Sequence, residues 1–304
     1  MSLLSRAIRR VYTKKDADRD RYLRTPDDIV RFDNIPYANE HPEWNLLDVY
    51  WPKSYENAKL PVIIVVHGGA WVYSTKDTYQ HYAMRLASHG FAVINASYRL
   101  APEYKFPSQL EDINSFVHWM YDNGKKYGFD TDNVFMVGDS AGCHIMGLYL
   151  AICLNKRYAK NFDIIPPNGF NPRAVAFNCG VYNIFRRGRK VTDMRVKQLV
   201  GDLLENAGDD REISLVNLTD HLTFEFPPAY ITTSNGDYLN YQAAYLINAY
   251  ENCGIEYVFR EFGDEENKLL HDFHVTVTNK FAIECNDAEC EFFKSKIQEQ
   301  RVTL

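Results

Sequence analysis

Short, nearly unbroken apolar runs recur along this chain, each followed by a stretch long enough for a helix. That alternation restricts the fold more than any other feature of the sequence. The runs include PVIIVV at 61–66, VFMV at 134–137 and AVAF at 174–177. Strands that read as continuous Val, Ile and Phe, rather than as polar and apolar residues in turn, are buried on both faces. Strands are predicted at 46–51, 61–67, 91–96, 133–137, 174–178, 229–233 and 256–262. Helices are predicted at 78–89, 108–123, 141–154, 241–252 and 276–294. Strand, helix, strand repeated this way implies an α/β fold, a mostly parallel central sheet flanked by helices on both faces.

With 304 residues, 46% hydrophobic and 14% aromatic, the chain can bury a large core, and it reads as a single domain over 1–304. The longest apolar run, 60–66, falls far short of the roughly 20 residues of a membrane-spanning helix. Arginines interrupt the N-terminus where a signal peptide would carry its apolar stretch, so secretion is not expected. The net charge of −6 gives no global attraction for nucleic acid. Residues 1–24 nevertheless hold eight basic and three acidic side chains, a local +5 that leaves −11 for the remainder. Such an arm is expected to lie on the acidic body; an anionic membrane surface or partner is the alternative. None of the six cysteines forms a CxxC pair. That gives a zinc site no local support, and reduced thiols in a cytoplasmic protein are expected.

One stretch breaks the rhythm. Residues 182–225 are charged and contain no strand-like run, while Val196, Leu199, Val200 and Leu203 fall at helical spacing, with Asp193 placed to cap that helix. A helical insertion there is either a surface excursion or a cap over the carboxyl ends of the strands, where ligands bind in open α/β sheets. The cap is the preferred reading. The N-terminal basic segment, 1–30, has its own helical stripe (Leu4, Ile8, Val11, Tyr12) and is expected to join it.

Gly138-Asp139-Ser140-Ala141-Gly142 follows the strand NVFMV and opens the helix AGCHIMGLYLAICL. This is G-x-S-x-G in strand–turn–helix context. A serine at so sharp a turn projects its hydroxyl above the sheet, and glycines on either side let strand and helix approach. The helix N-terminus favours developing negative charge. The plain alternative is a glycine-rich turn with an incidental serine. Upstream, His67-Gly68-Gly69-Ala70-Trp71 follows another buried strand. Backbone N–H groups of Gly68 and Gly69, together with that of Ala141, are the expected donors to an oxyanion.

HGGAW, then Tyr98-Arg99-Leu100-Ala101-Pro102-Glu103 with Phe106-Pro107, then GDSAG, stand in that order. On these motifs the chain, over roughly 45–295, resembles the hormone-sensitive-lipase-like branch of the α/β-hydrolase fold, whose members are esterases of carboxylic esters. The resemblance implies an eight-stranded sheet, a helical cap built partly from the N-terminus, and a Ser/Asp/His triad with no metal or cofactor. Two positions depart from the pattern: Ala70 replaces the common third glycine of HGGG, and Cys143 stands where a further glycine often follows GDSAG.

The acid and base should follow the serine in that order. Asp237 sits on the turn Ser234-Asn235-Gly236-Asp237 just past a buried strand, and matches the acid position that the resemblance implies. Its other reading is an N-cap for the helix at 241–252. His271, in Leu270-His271-Asp272-Phe273-His274, fits the His-x-Phe pattern of the resemblance, with His274 as the rival base. Glu103 is read as part of a structural turn, Trp119 as core, His144 as a packed helix residue and Asp264-Glu265-Glu266 as a solvated loop. The expected activity is hydrolysis of short-chain acyl esters through an acyl-enzyme, with a small ester and water as partners and no nucleic acid. A scaffold that binds without turnover, or an amidase or peptidase on the same triad, is the alternative. The charges of the insertion (Arg186, Arg187, Arg189, Lys190, Asp209, Asp210, Arg211, Glu212) leave little apolar surface for a lipid interface, so membrane contact is not expected.

Overall fold

A computed structural model describes residues 1–55, 59–184 and 194–298. Eight strands form one sheet: β1 (Ile29–Pro36), β2 (Leu46–Pro52), β3 (Leu60–Val66), β4 (Ala92–Ala96), β5 (Phe129–Asp139), β6 (Ala174–Asn178), β7 (Ala229–Ser234) and β8 (Tyr257–Phe262), in the spatial order β1-β2-β4-β3-β5-β6-β7-β8. β2 pairs antiparallel with both β1 and β4, and every pairing from β4 to β8 is parallel. Around it lie α1 (Leu3–Asp20), α2 (Lys76–Ala87), α3 (Ser108–Tyr127), α4 (Ala141–Leu154), α5 (Lys156–Ala159), α6 (Met194–Leu203), α7 (Asp210–Leu215), α8 (Gln242–Cys253) and α9 (Lys280–Lys294).

The pleat of β3 sorts the core into two layers. Val62, Ile64 and Val66 join one cluster with Ile113, Phe116 and Val117 of α3 and Ile145 and Leu148 of α4. Ile63 and Val65 face the other side, with Tyr82 and Leu86 of α2 and Phe293 of α9. α4 is buried from Ala141 through Ile152, which is why its sequence shows no polar face. The strand absent from the sequence reading is β1. It is an edge strand with exposed positions, and its Arg31–Asp33 ion pair (2.8 Å) supplies charge in place of a clear alternation. Charge on an edge also discourages pairing with another chain.

α1 starts at Ser2, whose hydroxyl accepts the Ser5 N–H at 3.1 Å. Its first turn is tied to α6, because the Ser2 N–H donates to the Asp202 carboxylate at 2.9 Å. Farther along, Arg9 pairs with Glu103 (2.6 Å), and Arg19 pairs with Asp16 and Asp20. Arg186, Arg187, Arg189, Lys190 and the cap expected from Asp193 lie outside the described residues, as does the side chain of Val196. Within the described residues no helix is long and apolar enough to cross a membrane. All six cysteines are free thiols.

Candidate active site

Ser140 occupies the turn from β5 into α4 with φ 50° and ψ −115°, a strained conformation for a residue with a side chain. The residues two positions to either side of it must be glycine. A Cβ on Gly138 would lie 2.8 Å from the Cys143 backbone, and one on Gly142 would lie 2.1 Å from the Val66 carbonyl oxygen. The Ser140 N–H donates to the Asn178 carbonyl at 3.0 Å, so the turn is also fastened to the end of β6.

The turn after β7 brings Asp237 beside His271 on the segment after β8. The Ser140 hydroxyl donates to His271 Nε2 at 2.9 Å, and His271 Nδ1–H donates to Asp237 Oδ1 at 2.7 Å. Asp237 is buried and accepts two further bonds, from the Leu239 N–H at 2.8 Å and the Thr233 hydroxyl at 3.1 Å. Burial alone would raise its carboxyl; His271 and these donors outweigh it and hold the group below the usual carboxylate range. Asp237 does not cap α8, whose N-cap is Tyr241. The Tyr238 ring lies 4.6 Å from that of His271 and covers it. His274, the rival base, is fully buried, and its Nε2 lies 3.9 Å from Asp139 Oδ1 on the far side of the serine turn.

The oxyanion reading needs one correction of geometry. The N–H of Gly68 donates to the Tyr79 hydroxyl at 3.1 Å, and Tyr79 in turn donates to Asp139. That amide already has a side-chain acceptor. Gly69 and Ala70 line the cavity instead. Neither their N–H groups nor that of Ala141, at the first turn of α4, has a hydrogen-bond acceptor among the described residues. Gly69 has φ 109°, and a Cβ there would lie 2.1 Å from the Tyr73 carbonyl oxygen. Ala70 (φ 54°) and Trp71 (φ 63°) share the left-handed region, which nothing in their residue types announces.

The loop is braced from behind. His67 stacks on Tyr98 at 4.0 Å, and the Tyr98 hydroxyl donates to the His67 carbonyl at 2.8 Å. Trp71 Nε1–H donates to His144 Nδ1 at 3.2 Å, and His144 Nε2–H donates to the Val216 carbonyl at 2.6 Å. Burial pushes both His67 and His144 down to about 4, so each is a neutral structural ring. Glu103 is bound by Arg9 and takes no part in the site.

Above Ser140 lies a cavity of about 460 Å³. Its roof is Ile8, Tyr12 and Asp16 of α1 with Leu199 of α6, and its floor holds Ser140 and His271. A wider cleft of about 540 Å³ lies near Asp132 and Arg173, toward the amino ends of β5 and β6, and contains no nucleophile–base pair. Cys179, His271 and Asp272 each bring one possible ligand atom within 4.8 Å of the others. Both nitrogens of His271 are already committed to Ser140 and Asp237, so we read no metal centre in that trio.

The arrangement has known counterparts. The BD-FAE family model matches residues 47–248. Among curated relatives, esterase LipI of Mycobacterium tuberculosis is 31% identical over 37% of this chain and 40% of its own length. Carboxylesterase NlhH of the same organism is 36% identical over 32% of this chain and 30% of its own. The chain thus spans less than half the length of these relatives. Among solved structures, esterase B from Lactobacillus rhamnosis with a C4–C4 SN3 tributyrin phosphonate inhibitor is 25% identical. It covers 96% of this chain and 95% of its own, with a TM-score of 0.85. These likenesses agree with the resemblance to hormone-sensitive-lipase-like esterases carried by HGGAW and GDSAG.

Proposed function

The chain belongs to the BD-FAE family and has the α/β-hydrolase fold, and from that premise we propose that it is a serine carboxylic-ester hydrolase acting on short acyl chains. One observation carries the reading: Ser140, His271 and Asp237 stand in hydrogen-bonded sequence, at 2.9 and 2.7 Å, on the floor of a roofed cavity.

His271 takes the Ser140 proton as the oxygen attacks the ester carbonyl, and then passes it to the leaving alcohol. Asp237 fixes the imidazole tautomer and stabilises the cation. The N–H groups of Gly69, Ala70 and Ala141 receive the oxyanion; Gly68 contributes by holding the loop rather than by donating. Water then resolves the acyl-enzyme by the reverse route, with His271 as its base. No cofactor is needed for any step.

Chain length follows from the roof. Each added methylene contributes about 0.8 kcal/mol where space allows, and overfilling a fixed pocket costs about 1–3 kcal/mol. Acyl chains from acetyl to hexanoyl suit the roofed cavity, and the butyryl-based inhibitor of the similar esterase B supports that range. In this reading α1, within the N-terminal segment 1–30, and α6, within the insertion at 182–225, act as a cap, and the free thiols accord with a cytoplasmic protein. A panel of p-nitrophenyl esters with one matched amide tests the proposal. kcat/KM should peak at or below hexanoyl, fall beyond octanoyl, and be lost in Ser140→Ala. A maximum at dodecanoyl or above would mean the roof opens onto a lipid interface, and preference for the amide would make this an amidase.

A further inference from the structure

The loop that carries the oxyanion amides holds two side chains in the left-handed region that favours glycine, Ala70 at φ 54° and Trp71 at φ 63°. Such a conformation persists only where its surroundings over-determine it. The backbone supplies part of that restraint. The N–H groups of Val72 and Tyr73 donate to the Gly69 carbonyl at 3.1 and 3.0 Å, and the Ala101 N–H donates to the Trp71 carbonyl at 2.9 Å. None of these three bonds involves Ala70. The direction of its N–H is therefore set by what holds the residues on either side.

On one side the holder is the Trp71 side chain. Its indole is buried and has a single polar atom, Nε1, which can only donate. That atom meets His144 Nδ1 at 3.2 Å, with the two rings edge to face, 5.4 Å apart and inclined by 76°. The other ring nitrogen, Nε2, meets the Val216 carbonyl oxygen at 2.6 Å, and a carbonyl can only accept. A donor at one end and an acceptor at the other leave the imidazole one state: neutral, with its proton on Nε2 and the Nδ1 lone pair toward the indole. Val216 is itself fixed. It is buried on the return of the insertion at 182–225. Before it, the Leu215 carbonyl accepts the Tyr158 hydroxyl at 2.7 Å; after it, the Leu218 N–H donates to the Tyr182 carbonyl at 2.9 Å. The Leu218 side chain packs against Gly147, one turn along α4 from His144.

We propose that His144 is a positioning residue for the oxyanion hole: it accepts the Trp71 indole proton from a ring fixed on Val216, keeps Ala70 and Trp71 in their strained conformation, and so aims the Ala70 N–H at the substrate oxygen. The inference rests on the esterase reading and on the oxyanion role of Ala70. His144 exchanges no proton in the reaction; it acts through Trp71 alone. The insertion thereby does more than roof the cavity, because its return segment steadies the loop on which the oxyanion charge falls. That charge exists in the transition state and not in the bound ester. A misaimed amide therefore slows turnover and leaves substrate binding almost untouched.

The test combines turnover of p-nitrophenyl butyrate with NMR of the Trp71 indole N–H, both in the full chain. Trp71→Phe and His144→Phe each keep a ring and remove the bond. Each should lower kcat by about ten- to hundredfold, part of the loss that follows outright deletion of an oxyanion donor, with KM within about twofold of the parent. The double variant should be little worse than the poorer single one, because the same bond is lost in all three. His144→Asn puts an acceptor oxygen near the place of Nδ1 and should recover much of what His144→Phe loses. Glycine takes a positive φ without strain, so the loss caused by His144→Phe should shrink severalfold when Ala70→Gly is added. In the parent the indole proton should exchange slowly with water, and its resonance should move in His144→Phe. Losses that multiply in the double variant, that fall on KM, or that Ala70→Gly leaves undiminished would overturn the proposal. So would an indole resonance that does not respond to His144→Phe. If His144→Phe does not fold, Trp71→Phe with and without Ala70→Gly carries the same comparison. A parent that turns over no ester counts against the esterase reading, and the indole resonance still decides whether the bond is made, because it requires no reaction.

Discussion

The floor of the cavity is made of strand ends and the roof of α1 and α6, and the two are fastened differently. On the floor the fastenings are backbone contacts. Ser140 N–H meets the Asn178 carbonyl, Gly142 lies against the Val66 carbonyl, and Gly138 lies against the backbone of Cys143. On the roof they are long polar side chains. Arg9 donates to the Val72 and Ala101 carbonyls, Asp16 accepts the Tyr73 hydroxyl, Arg19 donates to the Thr78 carbonyl, and Asp202 accepts the Ser2 N–H. Backbone fit tolerates no added atom, whereas a part-exposed ion pair can open and re-form at a cost of about 1 kcal/mol. The chemistry is therefore set by the rigid half, and access and chain-length preference by the half that can yield.

The largest expected effect separates two histidines three positions apart. His271→Ala should lower kcat/KM by about four orders of magnitude, as losing one member of such a triad commonly does. His274→Gln, outside the hydrogen-bonded line, should lower it by about tenfold at most while reducing the melting temperature, since its ring is fully buried. Equal losses in the two would dissolve the assignment of the base.

A second test probes the floor from beneath. Glu289 is buried, accepts from the Tyr82 hydroxyl at 2.9 Å and from Asn178 Nδ2 at 2.6 Å, and is pushed by burial up to about 7. The native state thus keeps a proton to about pH 7 that the unfolded chain releases near 4.5, so this group lowers stability as pH rises through that window. Glu289→Gln should remove that loss and gain roughly 2–4 kcal/mol above pH 7 relative to the parent, with little difference near pH 4.5. Melting curves whose difference does not change between pH 5 and pH 8 would show that Glu289 is ionised throughout.

The smallest effect belongs to the roof. Arg9 and Glu103 retain 31% and 45% of their side-chain exposure, so the pair is screened by water and salt. Arg9→Ala should lower kcat/KM by about three- to tenfold, chiefly through KM, and flatten the preference among acyl lengths. A loss near that of His271→Ala would mean that the roof sets the chemistry too.

The same division explains what could be read before the fold was seen. The parallel sheet was legible because β3 and the stretches 134–137 of β5 and 174–177 of β6 are continuous apolar runs, and the serine turn because its backbone demands glycine at two fixed places. β1 was not, since an edge strand needs neither alternation nor a run and here carries Arg31 and Asp33. The diversion of the Gly68 N–H was hidden because it depends on Tyr79 and on Asp139, 60 positions beyond Tyr79. Ala70 gave no sign of its positive φ, which the loop imposes and the residue does not prefer.

The most direct test of the account is fluorophosphonate labelling of the full chain, with the adduct located by peptide mass mapping. One adduct is expected, on Ser140, absent from Ser140→Ala, strongly slowed in His271→Ala and nearly unchanged in rate in Arg9→Ala. An adduct elsewhere, or none in the parent, would contradict a floor built to activate Ser140.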